Sequence, residues 1–299
     1  MKEPFRISVV VPTLDGADTL PALIHALDAQ QGVEITERIA IDSGSIDRTR
    51  DILERGRFRI IQRPRALFNH GLTRNDLVEL STSPLVAFFS QDAVPAGPET
   101  LAELARPFDL SPRVMGSYAR QIPAPGASRL DQLRIRRSRA GRREARRASG
   151  ADLDRTPAGA LLDLCDFHNA ASMVRRDGFM PFPETELAED LQWAHQVLKH
   201  GGQIAFVPTA RVYHSVERPL REEWERLKSE ARVLAREFGY RPAGIGGQPA
   251  ARTLMRGLMW GAADAAAVLT VPGRAPVRSL GRALALGPMR ALSFWKESR

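Results

Sequence analysis

Cys165 is the only cysteine in 299 residues, so no internal disulfide can form and the chain suits a reducing compartment. No apolar run reaches the ~20 residues that crossing a bilayer takes. The nearest candidate, from Gly257 to Val271, is interrupted by Asp264 and closed by Pro272. Met1-Lys2-Glu3-Pro4 runs straight into a strand-like segment, and the expectation is that there is no signal peptide. Aromatic residues are 6% of the chain, and none is interleaved with the arginines of its most basic stretch. That excludes the stacking platforms single-stranded nucleic acid needs, and no nucleic-acid partner is expected. Internal repeats are absent.

What is present is a globular balance of 43% hydrophobic and 26% charged residues, enough for a full α/β domain with an appendage. The net charge of +8 is unevenly spread. Residues 120–150 hold ten Arg against two acids, and residues 244–299 hold eight Lys or Arg against two, so the rest of the chain is net acidic. Two basic patches on a mildly acidic body suit anionic ligands or an anionic membrane surface.

Phe5-Arg6-Ile7-Ser8-Val9-Val10-Val11 reads as a strand ending in the turn cluster Pro12-Thr13-Leu14-Asp15-Gly16. Leu20, Leu23, Ile24 and Leu27 follow at helical spacing behind a capping Asp18-Thr19. Ile39-Ala40-Ile41-Asp42 is a second strand ending on an acid, followed by a small-residue loop and a helix around 48–55; residues 58–61 make a third. Two strand–helix–strand units imply a parallel sheet with right-handed crossovers. A helix from about 69 to 81 precedes the apolar strand 85–89, which runs into Ser90-Gln91-Asp92 and stops at Pro95. Acids at the carboxyl ends of parallel strands stand where such sheets bind ligands.

Beyond a further strand at 114–119, the segment from Arg120 to Pro157 reads as a solvated helix or mobile insertion, or as a lid for an anionic substrate. A helix from Glu186 to about His200 ends at Gly201-Gly202, two short strands lie at 204–207 and 211–214, and residues 220–238 form a charge-laced helix. Helices around 252–269 and 277–295 are basic and amphipathic, fit either to lie on a membrane surface or to pack on protein.

Five segments occur in order: Val-Val-Val-Pro-Thr (9–13), Asp-Ser-Gly-Ser-Ile-Asp-Arg-Thr (42–49), Gly-Leu-Thr-Arg-Asn (71–75), Ser-Gln-Asp-Ala-Val-Pro (90–95) and Ala-Glu-Asp (188–190). Together they resemble glycosyltransferase family 2, the inverting transferases of the GT-A fold, over roughly residues 5–215. Phe-Asn-His-Gly, Ser-Gln-Asp-Ala and Tyr-Ala-Arg-Gln-Ile-Pro (118–123) are most similar to bacterial rhamnosyltransferases. The resemblance implies a GT-A-type (Rossmann-like) α/β domain over 1–215, with a mixed, mostly parallel sheet, flanking helices and an Arg-rich insertion at about 120–157. Residues 216–299 would form a basic helical C-terminal extension.

The resemblance also implies roles. Pro12, Thr13 and Asp15 would seat nucleotide base and ribose, and Asp42 would accept from the pyrimidine N–H; a turn acid is its plainer reading. Arg74 would lie near base and diphosphate, against the alternative of an ion pair. Asp92 would ligate Mg²⁺ or Mn²⁺ and His214 would join it, unless backbone satisfies that histidine. Gln91 departs from the family, standing where an acid is common, and would hydrogen-bond ribose without adding charge. Asp190 is the expected base. Glu189 is the adjacent candidate, because successive helix residues point about 100° apart and one alone can face the site. His168 and Asn169 would line the sugar pocket or make turn contacts, and Trp193 would stack on a sugar or fill the core.

The implied reaction is inverting transfer from a nucleoside-diphosphate sugar, with dTDP-L-rhamnose as one candidate, to a glycan or polyprenyl-linked saccharide. The implied location is cytoplasmic, peripheral on the inner membrane face. Two other readings stay open: a sugar nucleotidyltransferase, whose Gly-rich basic loop after the first strand is missing, and a non-catalytic glycan- or nucleotide-binding protein on a degenerate transferase fold.

Overall fold

The structure is a computed structural model that describes residues 3–141, 146–149, 153–185, 187–215, 217–242, 245, 248–272 and 276–297. Part of the basic segment 120–157 and Glu186, where the sequence starts a helix, thus lie outside the described residues. The chain divides into two compact units: residues 1–122, 140–154 and 164–214, and residues 123–139, 155–163 and 215–299.

The first unit is built on β1 (Phe5–Thr13), α1 (Leu20–Asp28), β2 (Val33–Asp42), α2 (Thr49–Arg55), β3 (Arg59–Gln62), α3 (His70–Leu80), β4 (Leu85–Phe89), β5 (Val94–Pro95), α4 (Thr100–Leu110) and β6 (Val114–Ile122). After α5 (Arg129–Arg137) come β7 (Arg146–Ser149), α6 (Ala158–Leu164), β8 (Ala171–Arg175), α7 (Glu189–Lys199) and β9 (Gln203–Tyr213). The described strands form one nine-stranded sheet in the order β3-β2-β1-β4-β8-β6-β9-β5, with β7 also along β9. The central strands are buried on both faces, as sheets covered by helices are: Ile7, Val9, Val10 and Val11 of β1 and all five residues of β4 lie in the core.

Strand direction decides where the site sits. β1 pairs parallel with β2 and β4, and β2 with β3. β8 is antiparallel to both β4 and β6, and β6 is parallel to β9. Hence β1, β2, β3, β4, β6 and β9 all end at one rim, where β8 begins. The sheet is mixed and mostly parallel, as expected. One boundary differs from the sequence reading: residues 203–213 are one strand, and a register shift against β6 absorbs Pro208, which has no N–H for the ladder.

The second unit contains α5, all of α6 but its last residue, α8 (Leu220–Phe238), α9 (Ala250–Leu269) and α10 (Pro276–Lys296). Leu130 and Leu133 of α5 join Leu227, Ala265, Val268, Ala283 and Leu286 in its core. The described part of the Arg-rich segment is therefore partly an amphipathic helix, with Arg134 on Glu223 (2.7 Å) and Arg137 on Asp264 (2.8 Å). The backbones of α9 and α10 approach closely through glycine: a Cβ at Gly257 would stand 2.6 Å from Pro288 Cα, and one at Gly287 2.3 Å from the Gly257 oxygen.

Candidate active site

Thr13 and Asp42 face each other across paired strand ends. The Asp42 carboxylate is buried and accepts from Ser45 N–H (3.1 Å), from Ser45 Oγ and from Thr13 Oγ1 (3.4 Å). Ser45 Oγ in turn accepts from Asp15 N–H (2.9 Å), while Asp15 Oδ1 accepts from Ile46 N–H (2.9 Å). Asp15 has φ 46°, in the left-handed region that Asp tolerates better than most residues. Two strand-end turns are thus laced together, with Pro12 beside them and half-buried. A carboxylate offers about four lone-pair sites. Three are filled at Asp42, so a single further donor can be received.

Gln91 serves this lacing with both ends of its amide. Leu14 N–H donates to its Oε1 (3.0 Å), and its Nε2 donates to the Leu14 carbonyl (2.9 Å). A carboxylate could not make the second bond. Gly16 leaves the room required, since a Cβ there would stand 2.7 Å from Gln91 Oε1.

Asp92 follows, and its Oδ1 lies 3.5 Å from His214 Nε2. The other ring nitrogen, Nδ1, is 2.9 Å from Gln121 Oε1, which can only accept, so Nδ1 carries the hydrogen. In the neutral ring Nε2 then points a lone pair at the Asp92 carboxylate, an arrangement a cation would satisfy. Two ligand atoms about 2.1 Å from one ion lie about 3.0–3.5 Å apart, so this donor pair fits a divalent ion. Among the described residues no group of three or more His, Cys, Asp or Glu gathers for a metal. Further ligands would have to come from substrate or water.

The acidic pair divides its labour. Glu189 is buried and takes Arg74 Nη1 at 2.8 Å, with Asn169 Nδ2 at 3.3 Å. Arg74 Nη1 also reaches the His70 carbonyl (3.0 Å), so Arg74 stands with Glu189. Burial opposes ionisation of Glu189, but Arg74 and His70 outweigh it and hold the carboxyl below its ordinary range. Asp190 is moved the other way, up to about 6, first by desolvation and then by the Glu189 charge, against a lowering by His168. Its Oδ1 accepts from Leu191 N–H (2.8 Å) and its Oδ2 from Asn169 N–H (3.4 Å). Ala188, with φ 60°, turns the chain into α7. Asp190 is enclosed enough to be desolvated yet keeps some access, whereas Glu189 is buried in its ion pair: a base near neutrality beside a neighbour held by Arg74.

His168 Nε2 lies 2.9 Å from the buried Asp166, which also receives Tyr118 OH at 3.0 Å. Trp193 is fully buried among Phe167, Phe179 and Phe182, with its N–H on the Met180 carbonyl (2.7 Å), so it fills the core. Ser90 N–H donates to the Ala170 carbonyl (3.0 Å), tying the Asp92 turn to the segment that holds Asp190. Sequence reading missed Ser45, Gln121, Asp166 and Ala188. Ser45, Gln121 and Ala188 lie inside quoted motifs, but Gln121 acts on His214, 93 positions away, and Asp166 takes Tyr118, 48 positions away, pairings that no local pattern marks.

The chain matches the model described as "Glycosyl transferase family 2" over residues 8–167. It is 29% identical over 230 residues to the O-antigen chain rhamnosyltransferase RfbN of Salmonella typhimurium, covering 74% of this chain and 70% of that protein. It is 31% identical over 225 residues to the O-antigen chain rhamnosyltransferase WbaN of Salmonella anatum, covering 73% and 69%. A solved mannosyltransferase, PcManGT from Pyrobaculum calidifontis with GDP-Man and Mn²⁺, superposes with a TM-score of 0.58 at 16% identity, over 98% of this chain and 84% of that one. Glucosyl-3-phosphoglycerate synthase from Mycobacterium tuberculosis, with Mn²⁺, UDP and glucosyl-3-phosphoglycerate, gives 0.56 at 20% identity, over 81% and 83%. At such identities the two structures speak for the fold alone.

Proposed function

The chain belongs to glycosyl transferase family 2, and on that footing we propose that it moves a deoxyhexose, rhamnose, from a nucleoside-diphosphate sugar to a glycan or polyprenyl-linked saccharide with inversion. That it is a glycosyltransferase with the GT-A fold is established by the family match and the structural likeness. The relatives are named O-antigen chain rhamnosyltransferases, which supports the sugar and a glycan acceptor. A cytoplasmic site of action at the inner membrane face fits such an acceptor.

What supports the reading is that β4 and β8 pair antiparallel, so the turn bearing Asp92, which faces His214, and Asn169, which donates to Asp190, both flank the same rim of the sheet. The laced turns of Thr13, Asp15, Asp42 and Ser45 form the nucleotide end, and Asp42 keeps one lone-pair site for a base N–H. Asp92 and His214 would hold a divalent ion at the diphosphate. Such an ion, when bound, offsets the charge of the leaving nucleoside diphosphate. Asp190 accepts the proton of the acceptor hydroxyl as that oxygen attacks the anomeric carbon from the face opposite the leaving group. Glu189 is buried in its ion pair with Arg74, which leaves Asp190 as the carboxylate able to act as base.

The test is turnover of a panel of dTDP-, UDP- and GDP-sugars with Mn²⁺ or Mg²⁺ by wild type, Asp190→Asn and Asp92→Ala. One donor should be consumed, Asp190→Asn should be slower by about 10²–10⁴-fold with donor affinity kept, and Asp92→Ala should need more metal. An unchanged rate in Asp190→Asn removes the base assignment.

A further inference from the structure

α9 has two unlike faces. Thr253, Gly257, Gly261, Ala265 and Val268 are buried, and Gly257 and Gly261 bring the helix directly against α10. The opposite face carries Met255, Leu258, Met259, Ala262, Ala266 and Leu269, all exposed. Met255 is 60% exposed, Leu258 46%, Met259 68% and Leu269 60%. At about 1.5 Å per residue this stripe is about 21 Å long. From Leu258 to Thr270 no exposed position of α9 is charged; Asp264 sits on the flank in its ion pair with Arg137. Val277 and Leu284 of α10 are also exposed. A soluble monomer seldom leaves so continuous an apolar strip in water.

The exposed charges of α9 itself are basic, and the acids nearby are held in ion pairs, Asp264 by Arg137 and Glu217 by Arg278. Arg252 and Arg256 are exposed on the first turns of α9, and Arg278 and Arg290 on α10. No described helix is long and apolar enough to cross a membrane. We propose that the α9 face from Met255 to Leu269 is a docking surface for an anionic lipid bilayer, lying in the headgroup plane with Arg252 and Arg256 on the lipid phosphates. Amphipathic helices with arginines bordering an apolar strip bind such interfaces by both terms together. A second copy of the chain is the poorer occupant, because the same face of its α9 carries no exposed acid to receive Arg252 and Arg256. The surface is independent of the transfer reaction, and its test contains no sugar nucleotide.

The full chain is mixed with sucrose-loaded vesicles of phosphatidylcholine, alone or with about one third phosphatidylglycerol, and sedimented; fold is checked by circular dichroism and oligomeric state by sedimentation velocity. Wild type should bind the anionic vesicles and hardly the neutral ones. Met255→Glu/Met259→Glu should lose binding by tenfold or more while its helical signal is kept. Arg252→Ala/Arg256→Ala should lose about fivefold per arginine, with the remainder falling as salt rises. Met255→Ser/Met259→Ser, which adds no charge, should fall between wild type and the Glu pair. Absence of binding to anionic vesicles overturns the proposal, as does equal binding by the Glu pair. A dimer that the Glu pair dissociates, without vesicle binding, assigns the strip to a second copy instead.

Discussion

At the scale of single residues, the site separates two adjacent carboxylates by surroundings. Arg74 holds Glu189 ionised, while desolvation and the Glu189 charge push Asp190 up to about 6. A base must be unprotonated, so activity should fall as pH drops through about 6, measured as kcat/KM against pH. The same shift makes the ionised Asp190 a burden on the folded state. Its folded value lies above the ordinary 3.8, so the burden is complete above about pH 6 and gone below about pH 4. Asp190→Asn should accordingly raise thermal stability at pH 8 by about 2–3 kcal/mol and change it little at pH 4, read by melting at both pH values. Gln91 invites an opposite change. Gln91→Glu removes the donor to the Leu14 carbonyl and sets a carboxylate against it, and should cost about 1–3 kcal/mol in a denaturant titration. The Gln91 amide therefore has a structural use, clamping both backbone groups of Leu14.

Among the helices, the Arg-rich segment is the clearest case of charge answered by packing. Glu223 of α8 has a side chain 2% exposed and takes both Arg134 of α5 (2.7 Å) and Arg226 (3.1 Å). Burial opposes its charge, but Arg226 and Arg134 prevail and bring the carboxyl down to about 2. Stability from this group is complete above about pH 4.5 and lost as pH falls toward 2. Glu223→Gln should lower stability at pH 7 by about 1–2 kcal/mol, the arginines being partly screened by water, and the deficit should shrink on acidification. The helical period of α5 was within reach of its sequence, since Leu130 and Leu133 are three apart. Its burial was not, because the residues that cover it lie on α8, α9 and α10.

For the whole molecule, the two basic stretches seen along the chain belong partly to one compact unit, residues 123–139 with 215–299. Deleting residues 216–299 would strip Leu227, Val268 and Leu286 from Leu130 and Leu133, and the truncated chain should aggregate on size-exclusion chromatography. A monodisperse, folded product would show that α5 needs no cover. The sequence by itself determined the alternation of strands and helices, the acids at strand ends and the family, because hydrophobic period, turn residues and short motifs are local and survive being read in one dimension. Tertiary structure alone decided that Gln91 clamps Leu14, that Gln121 sets the tautomer of His214, that Arg74 pairs with Glu189 and that Asp190 is pushed toward neutrality. The first three depend on contacts between residues 77, 93 and 115 positions apart, and the last on desolvation by the folded surroundings, which no local pattern encodes.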